Sequence, residues 1–406
     1  MQPEPSGKMR PLAGLRVLDL SRVLAGPYVG RMLADLGADV VKLEPPEGDI
    51  TRKWGKVIGD LSGYYTQQNA GKRDVCVDLR VAGGPELVRA LALKADVVIE
   101  NFRPGVMAQF GLDYASLNAG NPRLVMLSIS GYGQTGPEAR RPAYAGVVHA
   151  ESGIVQRQAT LSGAPLADAR VSIADMNAAL HGLVGTLAAL LLRERGGSGQ
   201  HVDISMIEAM LATDDYMHLA LDGISERTGN GVVVNEIWEV VGGPILIAGD
   251  FRWVWQRLQS TFELVDPTPP GGSIPQKSEH RHAAVREFFA SFSDRSALLR
   301  ALDQADLPWG EVKTSRQAFD TDTLRARGAV VRVDDRAGGV RPVIQSPYKF
   351  SDAQSGVSGP APHRGEHNRE VLEQWLGTND DELSALEQRG VLLKQSATGT
   401  AGKDAV

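Results

Sequence analysis

The strongest constraint on this fold is the alternation of short apolar runs with longer amphipathic segments over the first 130 residues. The segments 15–20 (LRVLDL) and 38–44 (ADVVKLE) are typical of buried strands. Between them, the segment 27–37 begins with Pro27 and ends at Gly37, as helices do. The same pattern continues with strands at 74–79, 96–102 and 123–130 and a helix at 84–95. Because βαβ units require parallel strands, we predict an α/β fold with a Rossmann-like, doubly wound parallel sheet that binds ligands beyond the carboxyl ends of its strands.

The second half of the chain has a different character. At 406 residues the chain exceeds the usual size of one hydrophobic core, so we expect two domains. From residue 226, a hairpin-like alternation at 232–250, with Gly242 and Gly243 at its turn, is followed by short amphipathic helices. This pattern indicates a smaller α+β domain. The last residues, 396–406, have the composition of a disordered tail.

Composition narrows the possible partners. The chain has 49 acidic and 43 basic residues and a net charge of −6, which argues against a nucleic-acid-binding surface. We find no apolar core of a signal peptide and no uninterrupted apolar run of membrane-spanning length, so we expect a cytoplasmic protein that does not bind membranes. The single cysteine, Cys76, has no partner for an internal disulfide, and we expect no metal site.

A single carboxylate precedes the longest apolar helix, in the segment 171–180 (VSIADMNAAL). That helix carries apolar or small residues on all sides, which predicts burial against another helix or a partner subunit. Asp175 at its start has two interpretations. It caps the helix by accepting backbone N–H groups, or it serves as a catalytic nucleophile, and the residues alone leave both open.

The first strand is followed by a glycine-containing turn, and a histidine lies beside an acid further along. The turn carries Gly26 and Gly30 but lacks the G-x-G-x-x-G spacing of dinucleotide sites, which argues against NAD. His149 stands two residues before Glu151. It is either a general base or a hydrogen-bonded packed residue.

A polar, an aromatic and a cationic residue close the strand predicted at 96–102. Asn101, Phe102 and Arg103 would lie at the ligand-binding edge, where a ring can flank a base and a guanidinium can pair with phosphate. The alternative is a simple strand-to-loop cap, and the chemistry of the three side chains does not decide between the two.

Six segments in order resemble the family III CoA-transferases of the CaiB/BaiF type, which include formyl-CoA:oxalate, carnitine and bile-acid-inducible CoA-transferases and the related α-methylacyl-CoA racemases. The segments are PLAGLRVLDLSRVLAGPYVGRMLADLGADVVKLEPPEGD, DVVIENFRPG, GLDYASLNAGNPRLVMLSISGYGQTGP, SIADMNAALHGLVGTLAALLLRERGGSGQHVDISMIEAML, SPYKFS and GEHNREVL. The resemblance implies an interlocked homodimer. It also implies a large Rossmann-like CoA-binding domain built from 1–225 and a returning C-terminal segment, 330–406, with the small α+β domain, 226–329, between them.

The resemblance further implies the site. Asp175 occupies the position of the family's catalytic aspartate, which forms an aspartyl anhydride and then an aspartyl-CoA thioester. A CoA thioester is then a substrate, and no cofactor is bound permanently. The CoA contacts carried over by position are Val23, Leu24, Ala25, Pro45, Val77, Asp78, Leu79, Arg80, Asn101, Phe102, Arg103 and Tyr144. The cations to test first as contacts of the CoA phosphates are Arg52, Lys72, Arg73 and Arg103.

The implied reaction is reversible CoA transfer from an acyl-CoA, for example succinyl-CoA, to a small dicarboxylic acid. Four arginines flank the predicted site and are candidates for binding a distal carboxylate: Arg140, Arg141, Arg157 and Arg170. Racemases of the family use a histidine where this chain has Tyr144, and His149, five residues later, is expected to point elsewhere. Because a tyrosine side chain has a pKa of about 10, it shuttles protons poorly at neutral pH, which favours transfer over racemisation. An inactive CoA-binding subunit of a heteromeric transferase is the remaining alternative.

Overall fold

The computed structural model describes residues 8–224 and 235–395 of the chain. It divides into two units, which we describe separately. The first consists of Met1–Met217 with Ala326–Val406, and the second of His218–Arg325. The predicted domain limits lie after residues 225 and 329, whereas the units end after Met217 and Arg325.

Two predictions fall outside the described residues. The tail predicted to be disordered, 396–406, is one of them. The other is the beginning of the predicted hairpin, 232–234.

Strands and helices alternate through most of the first unit. It begins with β1 (Arg16–Asp19), α1 (Ala25–Asp35), β2 (Asp39–Glu44), β3 (Val57–Ile58), β4 (Leu61–Ser62), α2 (Gly63–Asn69), β5 (Arg73–Cys76), α3 (Gly84–Lys94), β6 (Val97–Glu100), α4 (Val106–Gln109), α5 (Tyr114–Asn118), β7 (Val125–Ser130), α6 (Ala145–Glu151), α7 (Ile154–Ser162), α8 (Ile173–Glu194), β8 (His201–Ser205) and α9 (Met206–Thr213). There follow α10 (Met217–Leu221), β9 (Glu236–Trp238), β10 (Ile245–Ile247), α11 (Phe251–Phe262), α12 (Ile274–Ala290), α13 (Arg295–Gln304), β11 (Trp309–Glu311), α14 (Ser315–Ala318) and α15 (Asp322–Ala326). The chain then adds β12 (Val330–Asp334), β13 (Val340–Ile344), α16 (Asn368–Leu376) and α17 (Asp380–Gln388). A 3-10 helix spans Ile50–Lys53.

A six-stranded sheet organises the first unit, in the order β5-β2-β1-β6-β7-β8. Every neighbouring pair is parallel. Strand order reverses between β1 and β6, so the predicted Rossmann-like parallel sheet is confirmed. At such a reversal the connections diverge to opposite faces and leave a crevice beyond the carboxyl ends of the two central strands. In this chain those ends lead into the segments 20–25 and 101–105.

Both faces of the sheet are covered, because successive strand residues point to opposite sides. Val17 of β1 belongs to the core beneath α1 and α8, whereas Leu18 belongs to the core beneath α3 and α16. Helix α16 comes from the end of the chain and lies beside β5, where Asn368 Oδ1 accepts the backbone N–H of Cys76 at 3.0 Å. The C-terminal segment therefore completes the layer that buries the edge of the sheet.

Helix α8 packs on β7 and β8 and against α1. Glycine permits the close approach, since a Cβ at Gly185 would lie 2.8 Å from Val202 Cγ1. The predicted burial against another helix or a partner subunit is met within the single chain on one side of α8. Leu180, Val184 and Leu191 form one exposed stripe, with 44%, 65% and 53% of their surface accessible. By length and composition alone this helix also meets the criterion for a membrane span, which core helices packed on a sheet satisfy as well.

The second unit is built on the antiparallel sheet β11-β10-β9. Gly242 and Gly243 lie between β9 and β10 with positive φ, as expected for the turn of a hairpin. Helices α11 to α13 cover the sheet, and the core between them contains Trp238, Trp255 and Phe289. The unit is therefore of the α+β class.

Candidate active site

Asp175 lies in the first turn of α8, three residues after Ser172, which occupies the cap position without capping through its side chain. The prediction that Asp175 is the N-cap is therefore wrong in position. Burial raises the pKa of Asp175 to about 6, and the nearby His149 opposes the shift. The carboxylate is thus ionised at neutral pH but more basic than an exposed aspartate, a combination that suits a nucleophile.

A histidine from α6 takes over the capping role at α8. His149 of α6 is almost fully buried, and its Nε2 accepts the backbone N–H of Ala174 at 3.1 Å. Because Nε2 accepts, the ring proton is on Nδ1, which donates to Asp168 Oδ1 at 2.8 Å. The expectation that His149 points away from the site is wrong, and its acid partner is Asp168 rather than Glu151. Glu151 instead accepts from the hydroxyl of Tyr132 at 2.6 Å.

The turn after β1 forms the opposite wall and has an unusual backbone conformation. Val23 has φ 69°, a left-handed conformation that is strained for a β-branched residue. Two side chains hold the turn in place. Asp49 accepts the N–H of Val23 at 3.1 Å, and the Asn101 amide both accepts from and donates to the main chain of Arg22 at 2.8 Å.

Gly26 and Gly30, which open and line α1, serve close packing. A Cβ at Gly26 would lie 2.2 Å from Ser21 Cβ, and one at Gly30 would lie 2.5 Å from Asp19 Oδ2. The two glycines therefore allow α1 to start directly against the end of β1, with its first N–H groups left without intrahelical acceptors.

Three cavities with shared walls surround Asp175 and the crevice. Cavity A has a volume of about 630 Å³, cavity B about 580 Å³ and cavity C about 210 Å³. Asp175, Val23, Ile50 and Tyr144 line both A and B. Arg22, Phe102 and Val106 line both B and C. The nucleophile candidate therefore stands where a path from C through B reaches A.

All twelve residues predicted to contact CoA line at least one of these cavities. Cavity C is lined by Pro45, Val77, Asp78, Leu79, Arg80 and Phe102. Cavity B is lined by Val23, Ala25, Asn101, Phe102, Arg103 and Tyr144. Cavity A is lined by Val23, Leu24 and Tyr144. In this structure the Arg80 guanidinium is paired with Asp78 and Glu47, at 2.7 and 2.9 Å.

Three of the four cations chosen for the first tests of phosphate binding are paired with acidic side chains in this structure. Lys72 is buried, and its Nζ donates to Asp19 Oδ2 at 2.8 Å. Arg52 pairs with Glu44 beneath the site. Arg73 pairs with Asp39 and donates to Gln374 at 2.8 Å. Arg103 lines cavity B, and among the described residues its side chain has no hydrogen-bonding or ionic partner.

Several residues that line the cavities were not predicted from the sequence. Arg22 is exposed on the walls of both B and C, and its guanidinium pairs with no described side chain. The sequence signal that could have identified Arg22 is its position, one residue before Val23, which was predicted to contact CoA. Trp54 and Tyr64 line cavity A with their rings 5.2 Å apart. Burial, and next the charge of Asp175, raise the pKa of Tyr64 to about 12, so its hydroxyl remains a hydrogen-bond donor.

Of the four arginines proposed to bind a distal carboxylate, Arg170 has the suitable placement. It lines cavity A with Asp175, is exposed, and forms no ion pair with the acidic side chains that the structure describes. Arg157 pairs with Asp214 at 2.5 Å and Arg141 with Glu151 at 2.5 Å. Arg140 lines a different cavity, with Pro137 and Gln134.

No group of three or more His, Cys, Asp and Glu side chains placed to hold a metal ion occurs within 8–224 and 235–395. The polar groups beside Asp175 on the walls of cavities A and B include backbone N–H groups, an imidazole and arginine side chains.

Comparison with known proteins identifies the family. The model of CoA-transferase family III matches residues 12–368. The chain is 34% identical to a succinate–glutarate CoA-transferase of Agrobacterium fabrum, over 89% of this chain and 95% of that protein. It is 32% identical to a succinyl-CoA–D-citramalate CoA-transferase of Chloroflexus aurantiacus, over 94% of this chain and 98% of that protein.

A solved structure agrees with this assignment. The crystal structure of a CAIB/BAIF family protein from Brucella suis has a TM-score of 0.77 and 32% identity, over 91% of this chain and all of that one. The chain therefore belongs to CoA-transferase family III and is a CoA-transferase, an enzyme that uses CoA thioesters as substrates.

Proposed function

We propose that this enzyme moves CoA reversibly from succinyl-CoA, or a similar acyl-CoA, to a small dicarboxylic acid through acyl bonds formed on Asp175. The observation that carries the proposal is the position of the half-buried Asp175 carboxylate, where cavities A and B meet. The names of two relatives, one for succinate and glutarate and one for succinyl-CoA and D-citramalate, support a dicarboxylate as acceptor.

The transfer proceeds in four exchanges at one carboxylate. An Asp175 oxygen attacks the thioester carbonyl, and CoA leaves as the thiolate, which gives a mixed anhydride. The thiolate then attacks the Asp175 carbonyl, the donor acid departs, and aspartyl-CoA remains. The acceptor carboxylate attacks this thioester and releases the thiolate, which finally attacks the acceptor's acyl carbon and restores the Asp175 carboxylate. Each bond formed replaces one of similar energy, so little thioester energy is lost.

The cavities provide separate places for the two substrates. Cavity C is bounded by Leu79, Phe102 and Phe110, surfaces suited to a flat base, and Arg22 and Arg103 lie along B, where phosphates would pass. The first turn of α1, at Ala25, provides N–H groups near the reacting carbonyl. Cavity A is left for the acyl group and the acceptor acid.

We also propose that the enzyme acts as a homodimer. The stripe of Leu180, Val184 and Leu191 on α8 is exposed in the single chain, although leucine and valine stabilise a fold only when buried. A second copy of the chain is the occupant that the resemblance to interlocked dimers implies.

Assays with succinyl-CoA and a panel of free acids test the function. We expect CoA transfer to C4 and C5 dicarboxylates, with glutarate, malate, citramalate, mesaconate and itaconate as the panel and acetate and butyrate as monocarboxylate controls. Deuterium incorporation at Cα of a 2-methylacyl-CoA without any acceptor would instead establish the racemase alternative. Activity that appears only after a second polypeptide is added would establish the inactive-subunit alternative.

Arg170→Gln is expected to raise the KM for a dicarboxylate acceptor about 10- to 100-fold, the effect of losing one charged hydrogen bond. The reason is that Arg170 is the cation in cavity A that pairs with no described acid, so the distal carboxylate loses its partner. Steady-state kinetics with saturating succinyl-CoA measure the change. Arg140→Gln, in another cavity, is the matched control. An unchanged KM in the Arg170 variant would rule out this role.

A further inference from the structure

The pair of His149 and Asp168 links three elements around the nucleophile, and among the described residues neither side chain hydrogen-bonds to its carboxylate. His149 belongs to α6, Ala174 to the first turn of α8, and Asp168 to the segment that leads from α7 to α8. The residue next to Ala174 is Asp175. The imidazole therefore contacts the turn that carries the nucleophile.

The start of α8 needs such a contact, because its own cap residue does not provide one. Ser172 accepts no backbone N–H through its side chain, although a helix start leaves its first N–H groups without intrahelical acceptors. The imidazole supplies an acceptor from elsewhere in the chain. His149 has only 1% of its surface accessible, so its ring is held more firmly than the partly exposed side chain of Ser172.

The second hydrogen bond orients the ring and holds the cavity wall. In a neutral imidazole one nitrogen donates and the other accepts, so the bond from Nδ1 to Asp168 selects the tautomer whose Nε2 can accept at the helix start. Asp168 itself lines cavity A, two residues from Arg170. Arg170 has φ 52°, a left-handed conformation that costs energy in a non-glycine residue and is maintained only where neighbours hold it.

We propose that His149, held by Asp168, is a positioning residue that fixes the first turn of α8 and so aims the Asp175 carboxylate at the thioester. This role rests on the proposed function, in which Asp175 is the nucleophile. It differs from general base catalysis, because both ring nitrogens are occupied by the protein. Its consequence is that the distal nitrogen of His149 matters as a hydrogen-bond acceptor and not as a proton carrier.

Two amide substitutions separate the two ring nitrogens. The amide of H149Q reaches the place of Nε2 and can accept from Ala174, whereas that of H149N reaches only the place of Nδ1. We expect H149Q to retain kcat within about threefold and H149N and H149F to lose about 10- to 100-fold, because misplacement of reacting groups costs rates of this order. The KM for succinyl-CoA should change less than about twofold in all three, since CoA binding is not altered. H201F, which removes a histidine of β8 that is hydrogen-bonded to Ser128 of β7, is the control.

Hydrogen exchange at the Ala174 amide gives a readout independent of activity. We expect faster exchange in H149F and H149N and near wild-type exchange in H149Q. A failure of the proposed function would appear as a wild-type enzyme without transfer, and the exchange comparison would still test the contact. Equal losses of kcat in H149Q and H149F, or an Ala174 amide insensitive to all three substitutions, would overturn the proposal. If H149F does not fold, the comparison of H149Q with H149N decides.

Discussion

Asp175→Asn is expected to lower kcat for CoA transfer by about 10⁴-fold or more, because loss of a covalent nucleophile leaves only binding and electrostatic effects. Asparagine caps and packs almost as aspartate does, so a purely structural role would leave the rate nearly unchanged. Trapping with acyl-CoA and hydroxylamine, followed by mass spectrometry of the peptide containing residue 175, should show a modified aspartate in the wild type alone.

The stability of the Asp175→Asn variant should rise, although its activity falls. The pKa of Asp175 is raised to about 6 by burial, so the fold favours the protonated acid, and stability is lost as pH rises from the ordinary pKa to that value. A neutral amide avoids this cost, and we expect a higher Tm at neutral pH. Asp113→Asn is the control for the Asp-to-Asn change itself, because Asp113 is a helix-capping residue of α5 and not a candidate nucleophile. An Asp175→Asn variant that retains CoA transfer at the wild-type rate would eliminate the covalent mechanism.

The fold was predictable because its signals are local and repeated. Each strand of the parallel sheet is a short apolar run. The helices between the strands are marked by residues typical of helix ends, such as Pro27 in the first turn of α1 and Gly37 just after it. Placement of the crevice followed, since β1 and β6 end where the order of strands reverses. The segments after both strands, which contain Val23 and Asn101, therefore meet there as expected.

The partners of individual side chains were less predictable, because they depend on contacts between distant residues. His149 lies 25 positions from the N–H it accepts, and no periodicity points to that contact. The strained φ of Val23 is imposed by Asp49, which approaches from another loop. For Lys72 and Arg73, a physical signal was available. Both come at the start of β5, and the ligand-binding edge of a parallel sheet lies at the other end of its strands.

Lys72→Met is expected to destabilise the protein by about 3–5 kcal/mol, because it leaves a buried carboxylate without its partner. Lys72 Nζ donates to Asp19 at 2.8 Å, to the Pro27 carbonyl at 2.8 Å and to Asn69 Oδ1 at 2.9 Å, and none of these groups is open to water. Burial lowers the pKa of Lys72 to about 8, and the charge of Asp19 offsets part of that shift. Denaturant unfolding measures the loss, with Lys8→Met as the control at an exposed pair worth at most about 1 kcal/mol.

The double variant K72M/D19N distinguishes a lost charge partner from lost packing. The amide introduced by D19N would still accept the backbone N–H of Ser21, which Asp19 accepts at 3.0 Å, while presenting no buried charge. We therefore expect the double variant to recover about 1–3 kcal/mol relative to the sum of the two single changes. Additive losses would mean that methionine simply fits the site poorly, and a K72M cost no larger than that of Lys8→Met would mean that the charge of Lys72 remains free for a ligand. Because Asp19 anchors the turn before Val23, the recovered stability should be accompanied by recovered transfer activity, which links this buried ion pair to the wall of the active site.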